Sequence, residues 1–230
     1  MREIVLDTET TGFEPGEGDR IVEIGAVELL GHVPTGRTYH QYINPKRSMP
    51  AEAFAVHGLG DDFLADKPVF ADIAQDFLDF AGDAKLIIHN AAFDMKFLNA
   101  ELGWVNKPLL PMDQAIDTLM IARRKFPGSP ASLDALCRRF GIDNSSRTLH
   151  GALLDSEILA EVYLELIGGR QPDFVLSNQT GTATTVTQEN GWRPSPRPVS
   201  LVPKLTEEEA TAHAQFVAKL HGGSLWNTKA

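Results

Sequence analysis

The order of the apolar segments is the feature that most constrains the fold of this chain. Three segments with strand-like patterns, Glu3 to Thr10, Ile21 to Leu29 and Thr38 to Ile43, come first and are joined by Gly-containing turns. Helical spacing follows, and it is interrupted by a short strand-like segment from Lys85 to His89. Strands first, then helices alternating with strands, indicate an α/β fold in which helices flank a mixed sheet.

Five helices are predicted in the same part of the chain from apolar spacing and from capping residues. They are the segment with apolar residues from Phe70 to Phe80, a helix opened by Phe93, a helix from Thr118 to Phe126 capped by Asp117, a helix capped by Ser132 that ends at Gly141, and a long helix from Leu153 to Ile167.

The composition changes after Gly168 and Gly169. Residues 1–170 hold 16 Lys or Arg and 26 Asp or Glu, whereas the rest of the chain holds five of each. Residues 171–204 are rich in Thr, Pro, Ser, Asn and Gln, which predicts a flexible linker because such a segment buries too little apolar surface to become ordered. A capping pattern at Thr206 then predicts a short helix within residues 205–230, ending at about Leu220.

Charge and cysteine content exclude several classes of protein. The formal net charge is −10, which argues against a protein that holds DNA by a basic surface alone. Cys137 is the single cysteine, so an internal disulfide and a Cys-rich zinc site are excluded. The chain lacks an apolar run of membrane-spanning length, and its first ten residues carry four charges. We therefore expect a cytoplasmic protein without a membrane span or a signal peptide.

Asp7 and Glu9 are the first candidate functional residues, because they follow the apolar run Ile4-Val5-Leu6. Side chains two positions apart on a strand point to the same face, so both carboxylates project into one small volume. Two like charges buried together need a compensating cation. The alternative is that both lie beyond the strand end, in water, with a turn at Thr10-Thr11-Gly12.

Asp94, His150 and Asp155 are the other candidates. Asp94 lies near the start of a predicted helix, where an ordinary first-turn acid is the alternative interpretation. His150 and Asp155 would lie about 140° apart on a helix, so both reach one site only if His150 precedes the helix; a surface histidine and an N-terminal acid are the alternative. Hard oxygen ligands select Mg²⁺ or Mn²⁺ over Zn²⁺, and four carboxylates around two such ions hydrolyse phosphodiesters.

Three motifs in order resemble those of the DEDDh 3′–5′ exonucleases: Asp7-Thr-Glu-Thr-Thr-Gly12, Asn90-Ala-Ala-Phe-Asp94 and His150-Gly-Ala-Leu-Leu-Asp155. The segments Val56-His-Gly-Leu59 and Ser132-Leu-Asp-Ala-Leu-Cys137 are similar to one branch, the proofreading ε subunits of bacterial DNA polymerase III. The resemblance covers residues 2–169 and reappears in Gly222-Gly-Ser-Leu-Trp226.

The resemblance implies a ribonuclease-H-like fold with a five-stranded mixed sheet. It implies that Asp7, Glu9, Asp94 and Asp155 hold two divalent cations, Mg²⁺ or Mn²⁺, and that His150 is the general base, since an imidazole accepts a proton readily at neutral pH. The expected activity removes mispaired 3′-terminal nucleotides of DNA as 5′-monophosphates. A mispaired end unpairs at lower cost and reaches a single-strand pocket more often.

Further site residues and partners follow from the same resemblance. Residues matching Thr10, His57, Asn90 and Phe93 lie near the terminal nucleotide in the family; a turn former, a loop histidine, a helix cap and a core aromatic are the alternatives. The peptide at Gln171, Phe174 and Leu176 resembles those that bind the sliding clamp, although a chance match is the alternative. The residues expected to bind the polymerase α subunit are Phe216, Leu220, Leu225 and Trp226.

Two other functions remain open at this point. One is an RNA 3′-trimming exonuclease of the same superfamily, although such a chain is usually a compact dimer without a tail of this kind. The other is a module that stabilises the polymerase without catalysis, which the complete set of five catalytic residues argues against. We expect a protein that is monomeric outside the polymerase complex, in the cytoplasm at the nucleoid.

Overall fold

A computed structural model of the protein describes residues 1–145, 149–168 and 206–219. The chain divides into two units, Met1–Leu176 and Ser177–Ala230. The first unit contains one five-stranded sheet, in the order β3-β2-β1-β4-β5. Its strands are β1 (Arg2–Thr10), β2 (Ile21–Leu30), β3 (Val33–Tyr42), β4 (Lys85–Ile88) and β5 (Ala115–Asp117).

The sheet is mixed, as the order of the elements predicts. β1 pairs antiparallel with β2, and β2 pairs antiparallel with β3, which makes a meander. β4 and β5 join on the other side as parallel strands, each reached through helical segments. The helices of this unit are α1 (Ala51–His57), α2 (Asp61–Leu64), α3 (Phe70–Ala81), α4 (Ala91–Trp104), α5 (Thr118–Lys125), α6 (Leu133–Phe140) and α7 (Ala152–Ile167).

A separate apolar core covers each face of the sheet. Ile4 and Leu6 of β1 point into the core shared with α3 and α4, whereas Val5 points into the core shared with α7. This alternation follows from the two-residue period of a strand. Glu101 of α4 is fully buried and accepts hydrogen bonds from the Arg20 guanidinium, at 2.8 and 2.7 Å. This ion pair ties α4 to the start of β2.

Several elements differ from the sequence prediction. β3 begins at Val33 rather than at Thr38, because its exposed first half lacks an apolar pattern and is held by pairing with β2. The three-residue strand β5 and the short helices α1 and α2 were not predicted, since elements of this length carry little periodicity. His57 is therefore the last residue of a helix, not a loop histidine.

The second unit contains α8 (Glu207–Ala218), which begins after Thr206 as the capping pattern predicts. The Thr206 hydroxyl accepts from the Glu209 N–H at 3.2 Å, and the Glu209 carboxylate accepts from the Thr206 N–H at 2.9 Å. The helix contains no buried residue. Over the described part of the chain, no helix combines the length and apolarity required to cross a membrane.

Candidate active site

The site lies where β1 continues past the end of β4. Pairing between these two strands ends at Val5 and Ile87, whereas β1 remains paired with β2 up to Thr10. Residues 7–10 therefore have a neighbouring strand on one side only. Side chains from both faces of the sheet can approach each other at this open side of β1.

Asp7 and Glu9 lie inside β1, so the interpretation that both lie beyond the strand end is wrong. Their odd positions place them on the face of Val5, which is the face covered by α7. Glu9 is 8% exposed, and Asp7 is half-buried. The predicted sharing of one face by these two carboxylates follows from the strand geometry.

Asp94 approaches the site from the opposite face. It lies in the first turn of α4 and is buried, and its Oδ1 accepts a hydrogen bond of 2.7 Å from the Thr8 hydroxyl. Burial raises the pKa of Asp94 to about 7, and the Thr8 hydrogen bond opposes this effect. Asp94 is therefore not an ordinary solvent-exposed acid at a helix start.

Asp155 and His150 are positioned by the start of α7. His150 precedes the helix and Gly151 is its N-cap, which is the arrangement that lets both side chains reach one site. His150 Nδ1 lies 3.3 Å from Asp155 Oδ2. The backbone N–H of His150 donates to the Val56 carbonyl at 3.1 Å. Asp155 is buried, whereas the His150 side chain is 48% exposed.

Gly25 allows α7 to approach the sheet this closely. Gly25 lies on β2 and pairs with Asp7 of β1. A Cβ atom at Gly25 would lie 2.1 Å from the backbone of Ala152 and of Leu153. The Ser156 hydroxyl donates to the Gly25 carbonyl at 2.9 Å in the buried contact. Because only a hydrogen fits between the strand and the helix, the chain requires glycine here.

All five predicted catalytic residues line one cavity of about 570 Å³, which we call the acid cavity. Ligand atoms of Glu9, His150 and Asp155 lie within 4.8 Å of one another. Asp7 and Asp94 line the same cavity but do not belong to that tight group. The convergence of the five side chains is therefore in the structure, while their individual roles stay predictions.

This donor set fits divalent cations. Carboxylates crowded in one cavity repel each other unless cations neutralise them, and desolvation by burial separately disfavours the charged form of Asp94. Carboxylate oxygens and an imidazole are suitable ligands for such ions. The acid cavity thus has the charge and the ligand types of a metal site.

A second cavity of about 510 Å³ adjoins the acid cavity, and we call it the His57 cavity. Glu9 and Phe93 line both cavities, whereas Thr10 and His57 line only this one. The Thr10 hydroxyl donates to the Gly12 carbonyl at 2.6 Å, so Thr10 also supports the turn after β1. Three of the four predicted substrate residues are brought together here.

His57 presents a neutral ring to this cavity. Burial lowers the pKa of His57, an effect that the nearby Thr10 backbone partly offsets. His57 Nδ1 accepts from the Leu59 N–H at 3.0 Å, which leaves the proton on Nε2. Nε2 is buried and makes no well-formed hydrogen bond within the described part of the chain.

Phe93 and Asn90 differ in their placement. The Phe93 ring contacts Phe97 at 5.0 Å and the exposed Phe13 at 6.4 Å between centroids, so it forms a wall rather than part of the deep core. Asn90 occupies the N-cap position of α4, but its side chain makes no capping hydrogen bond. It has a positive φ of 69° and lines the acid cavity, apart from Thr10 and His57.

A protein-family model of exonucleases, RNase_T, matches residues 4–163 of the chain. A DNA polymerase III subunit epsilon from Rickettsia felis is 51% identical over 96% of this chain and 97% of its own length. The chain belongs to this exonuclease family, in the branch of the DNA polymerase III epsilon subunits. The corresponding subunit from Escherichia coli K12 is 44% identical over 98% of this chain and 97% of its own length.

Solved structures agree with membership of the exonuclease family. Exonuclease X in complex with 5′ overhanging duplex DNA has a TM-score of 0.56 and 26% identity, covering 71% of this chain and 90% of its own. The nuclease domain of 3′hExo, a DEDDh family member bound to rAMP, has a TM-score of 0.63 and 20% identity, covering 72% and 91%. The second likeness shows the shared DEDDh, ribonuclease-H-like fold.

Three residues of this exonuclease were missed by sequence reasoning although they shape the site. Thr8 lies between the two motif acids and hydrogen-bonds to Asp94, Gly25 admits α7, and Arg123 lines the acid cavity. The sequence carries a signal for Thr8, because successive side chains of a strand point to opposite faces. Thr8 therefore points to the face opposite that of Asp7 and Glu9. Neither Gly25 nor Arg123 carries a local signal, since their importance depends on contacts distant in sequence.

Most of the residues expected to bind partners lie outside the described residues. These are Gln171, Phe174, Leu176, Leu220, Leu225 and Trp226. Phe216 is described, and it is 63% exposed on α8.

Proposed function

We propose that this protein removes mispaired nucleotides from 3′ ends of DNA as nucleoside 5′-monophosphates, as the proofreading exonuclease of a DNA polymerase III. One observation carries the proposal: the acid cavity opens beside the His57 cavity, and Glu9 and Phe93 line both. A terminal nucleotide in the His57 cavity would place its 5′-phosphate among the carboxylates of the acid cavity.

Asp7, Glu9, Asp94 and Asp155 would hold two divalent cations, Mg²⁺ or Mn²⁺, as the oxygen-rich donor set favours. When bound, the cations supply charge neutralisation at the scissile phosphate and activation of the attacking water. Thr8 would keep the Asp94 carboxylate oriented toward the cavity through its 2.7 Å hydrogen bond.

His150 would accept the proton of the attacking water. It stands outside α7 and is half exposed, so its ring can exchange that proton with solvent, and Asp155 stabilises the imidazolium that forms. The His150 N–H bond to the Val56 carbonyl holds this segment beside α1, which also carries His57.

Thr10, His57 and Phe93 would hold the terminal nucleotide. Phe93 offers a ring face or edge to the base, and Thr10 and His57 form the wall of the cavity beside it. These contacts carry no base-specific pattern. Selectivity would therefore come from fraying, because a mispaired end separates from its template at lower cost.

The partner proposal concerns the second unit and the residues before it. We propose that Gln171, Phe174 and Leu176 bind the sliding clamp, and that Phe216, Leu220, Leu225 and Trp226 bind the polymerase α subunit. The exposure of Phe216 on a capped helix without buried residues supports the second contact. Two weak contacts on one tether raise the effective concentration of the nuclease at the primer end.

The test is a comparison of three 5′-labelled substrates with Mg²⁺ or Mn²⁺: a primer with a mispaired 3′ end, the same primer fully paired, and single-stranded RNA. We expect the mispaired DNA to shorten fastest, and EDTA or Asp7→Ala to stop the reaction. Preferential shortening of RNA would favour the RNA-trimming function instead. No hydrolysis of either nucleic acid would leave a polymerase-stabilising role.

A further inference from the structure

Basic residues are concentrated in one segment of this acidic protein. Residues 118–140, which form α5, α6 and the loop between them, contain five Arg or Lys and one Asp, in a chain of net charge −10. This basic segment lies next to the carboxylates of the acid cavity, since its residues Arg123 and Asp134 line that cavity.

Two of the five basic residues have structural roles. Lys125 donates to the carbonyls of Glu165 and Leu166 near the end of α7, at 3.3 and 3.0 Å. The Arg139 guanidinium lies over the Phe126 ring, 4.3 Å from its centroid. These interactions fix the side chains of Lys125 and Arg139 against the domain.

Arg123 and Arg138 are exposed and lie beside the reaction centre. Arg123 lines the acid cavity, and Arg138 lines an adjoining groove of about 530 Å³, which we call the Arg138 groove. Asp134 and His150 line both the acid cavity and this groove. Within residues 1–145 and 149–168, neither guanidinium forms an ion pair with a carboxylate.

The proposed function restricts the path of a bound strand. If the terminal nucleotide occupies the His57 cavity and its 5′-phosphate the acid cavity, the preceding nucleotides must leave over the remaining rim of the acid cavity. That rim carries Arg123 and continues into the Arg138 groove. A strand of like charge to the protein needs cationic side chains along this path.

We propose that Arg123 and Arg138 bind phosphates of the substrate strand immediately 5′ of the scissile bond, so that the strand leaves along the α5–α6 side. This inference rests on the proposed function and adds the direction of the strand. Arginine suits the role because its planar guanidinium donates two parallel hydrogen bonds to phosphate oxygens. The two residues would position substrate without contacting the reacting atoms.

The test uses the full chain with two substrates, one with upstream phosphates and one without. One is a single-stranded decanucleotide, and the other is thymidine 5′-p-nitrophenyl phosphate, which has none. The variants are Arg123→Ala, Arg138→Ala and their combination. Arg124→Ala is the matched control, because Arg124 is also an exposed arginine on α5 but lines neither the acid cavity nor the Arg138 groove.

For the double variant we expect KM for the decanucleotide to rise about tenfold, as the removal of two exposed ionic interactions implies, with little change in kcat. The slope of log KM against log salt should become shallower by about 0.7 for each phosphate that the variant no longer binds. Hydrolysis of the nitrophenyl ester should not change, and Arg124→Ala should behave as the parent.

Two results would overturn the inference: an unchanged KM for the decanucleotide, or an equal reduction in activity on both substrates. If the parent protein hydrolysed neither substrate, the proposed function would fail instead. Fluorescence anisotropy tests the strand path without hydrolysis, by measuring the affinity for a labelled decanucleotide. It compares His150→Gln with a variant that also carries Arg123→Ala and Arg138→Ala. Equal affinities would contradict it.

Discussion

The four carboxylates of the acid cavity are held in different ways. Asp94 is buried and bonded to Thr8, Glu9 and Asp155 are buried near His150, and Asp7 is half-buried. Burial raises the pKa of Asp94 to about 7. In the absence of cations, the folded domain therefore favours a proton on Asp94 that the unfolded chain would release.

We predict that Asp94→Asn stabilises the metal-free protein at pH 8 but not at pH 4. The unfolded chain loses the Asp94 proton near its ordinary pKa of 3.8 and the folded chain only near 7, so the free energy of unfolding falls as pH rises between these values. Asparagine removes this pH-dependent destabilisation and can still accept the Thr8 hydrogen bond. Thermal denaturation in EDTA at the two pH values measures the effect.

Asp62→Asn is the control for this experiment, because Asp62 is an exposed acid on α2. Its melting temperature should follow that of the parent protein at both pH values. Mn²⁺ should raise the melting temperature of the parent by linkage, and Asp94→Asn should reduce that rise. Equal Mn²⁺ shifts in both proteins would remove Asp94 from the ligand set.

We predict that His150→Gln loses about 10²- to 10⁴-fold in kcat, the usual contribution of a general base. The variant should keep the Mn²⁺-dependent rise in melting temperature, because the four carboxylates are unchanged. Turnover of a single-stranded oligonucleotide at pH 7.5 measures the first effect. If the Mn²⁺ shift disappears while Glu9 and Asp155 are intact, His150 is a ligand rather than the base.

At the scale of secondary-structure elements, the packing of α7 on β2 determines where His150 and Asp155 lie. α7 begins against the backbone of Gly25, which pairs with Asp7 on the neighbouring strand. The buried Ser156 hydrogen bond to the Gly25 carbonyl fixes the same contact. The distance between the first motif and the third therefore depends on one glycine in a central strand.

We predict that Gly25→Ala lowers kcat at least tenfold and destabilises the domain by about 1–3 kcal/mol, since an added methyl group must push α7 away from the sheet. Gly103→Ala is the control, because a Cβ atom there meets its nearest neighbour at 3.9 Å inside α4. Urea denaturation and turnover measure both proteins. Normal turnover in Gly25→Ala would show that α7 can shift without moving Asp155.

At the scale of the whole molecule, the site depends on both faces of the sheet, whereas the proposed partner contacts lie elsewhere in the chain. Asp94 comes from the α4 face and Asp155 from the α7 face, and they line one cavity because β4 is shorter than β1. The sheet and the two cores belong to the first unit, while α8 belongs to the second.

We predict that a chain ending at Gly168 keeps the melting temperature and the exonuclease activity of the full chain. Both cores and all five predicted catalytic residues lie before that point. The same truncation should abolish co-purification with the polymerase α subunit. In the full chain, Phe216→Ala should weaken co-purification, and exposed His213→Ala on the same helix is its control. Inactivity of the truncated chain would contradict the proposed domain boundary.

Local rules predicted the elements of this fold well where the pattern was long. The caps Asp117, Ser132 and Thr206 begin helices as expected, and the bounds of β1 and β2 differ from the prediction by one residue or less. The first half of β3 was missed, because an exposed edge strand carries no apolar alternation. The separation of Asn90 from the His57 cavity was also missed, since it depends on the left-handed turn that begins α4.

The sequence alone determined which residues are candidates for the chemistry of this exonuclease. It specified the identities of the motif residues, the shared face of Asp7 and Glu9, and the position of His150 ahead of its helix, because each depends on neighbours a few residues away. Tertiary structure alone decided that β1 extends beyond the end of β4 and that Thr8 hydrogen-bonds to Asp94. It also decided that α7 packs directly against Gly25. These features arise from contacts between segments distant in the chain, which no local periodicity can encode.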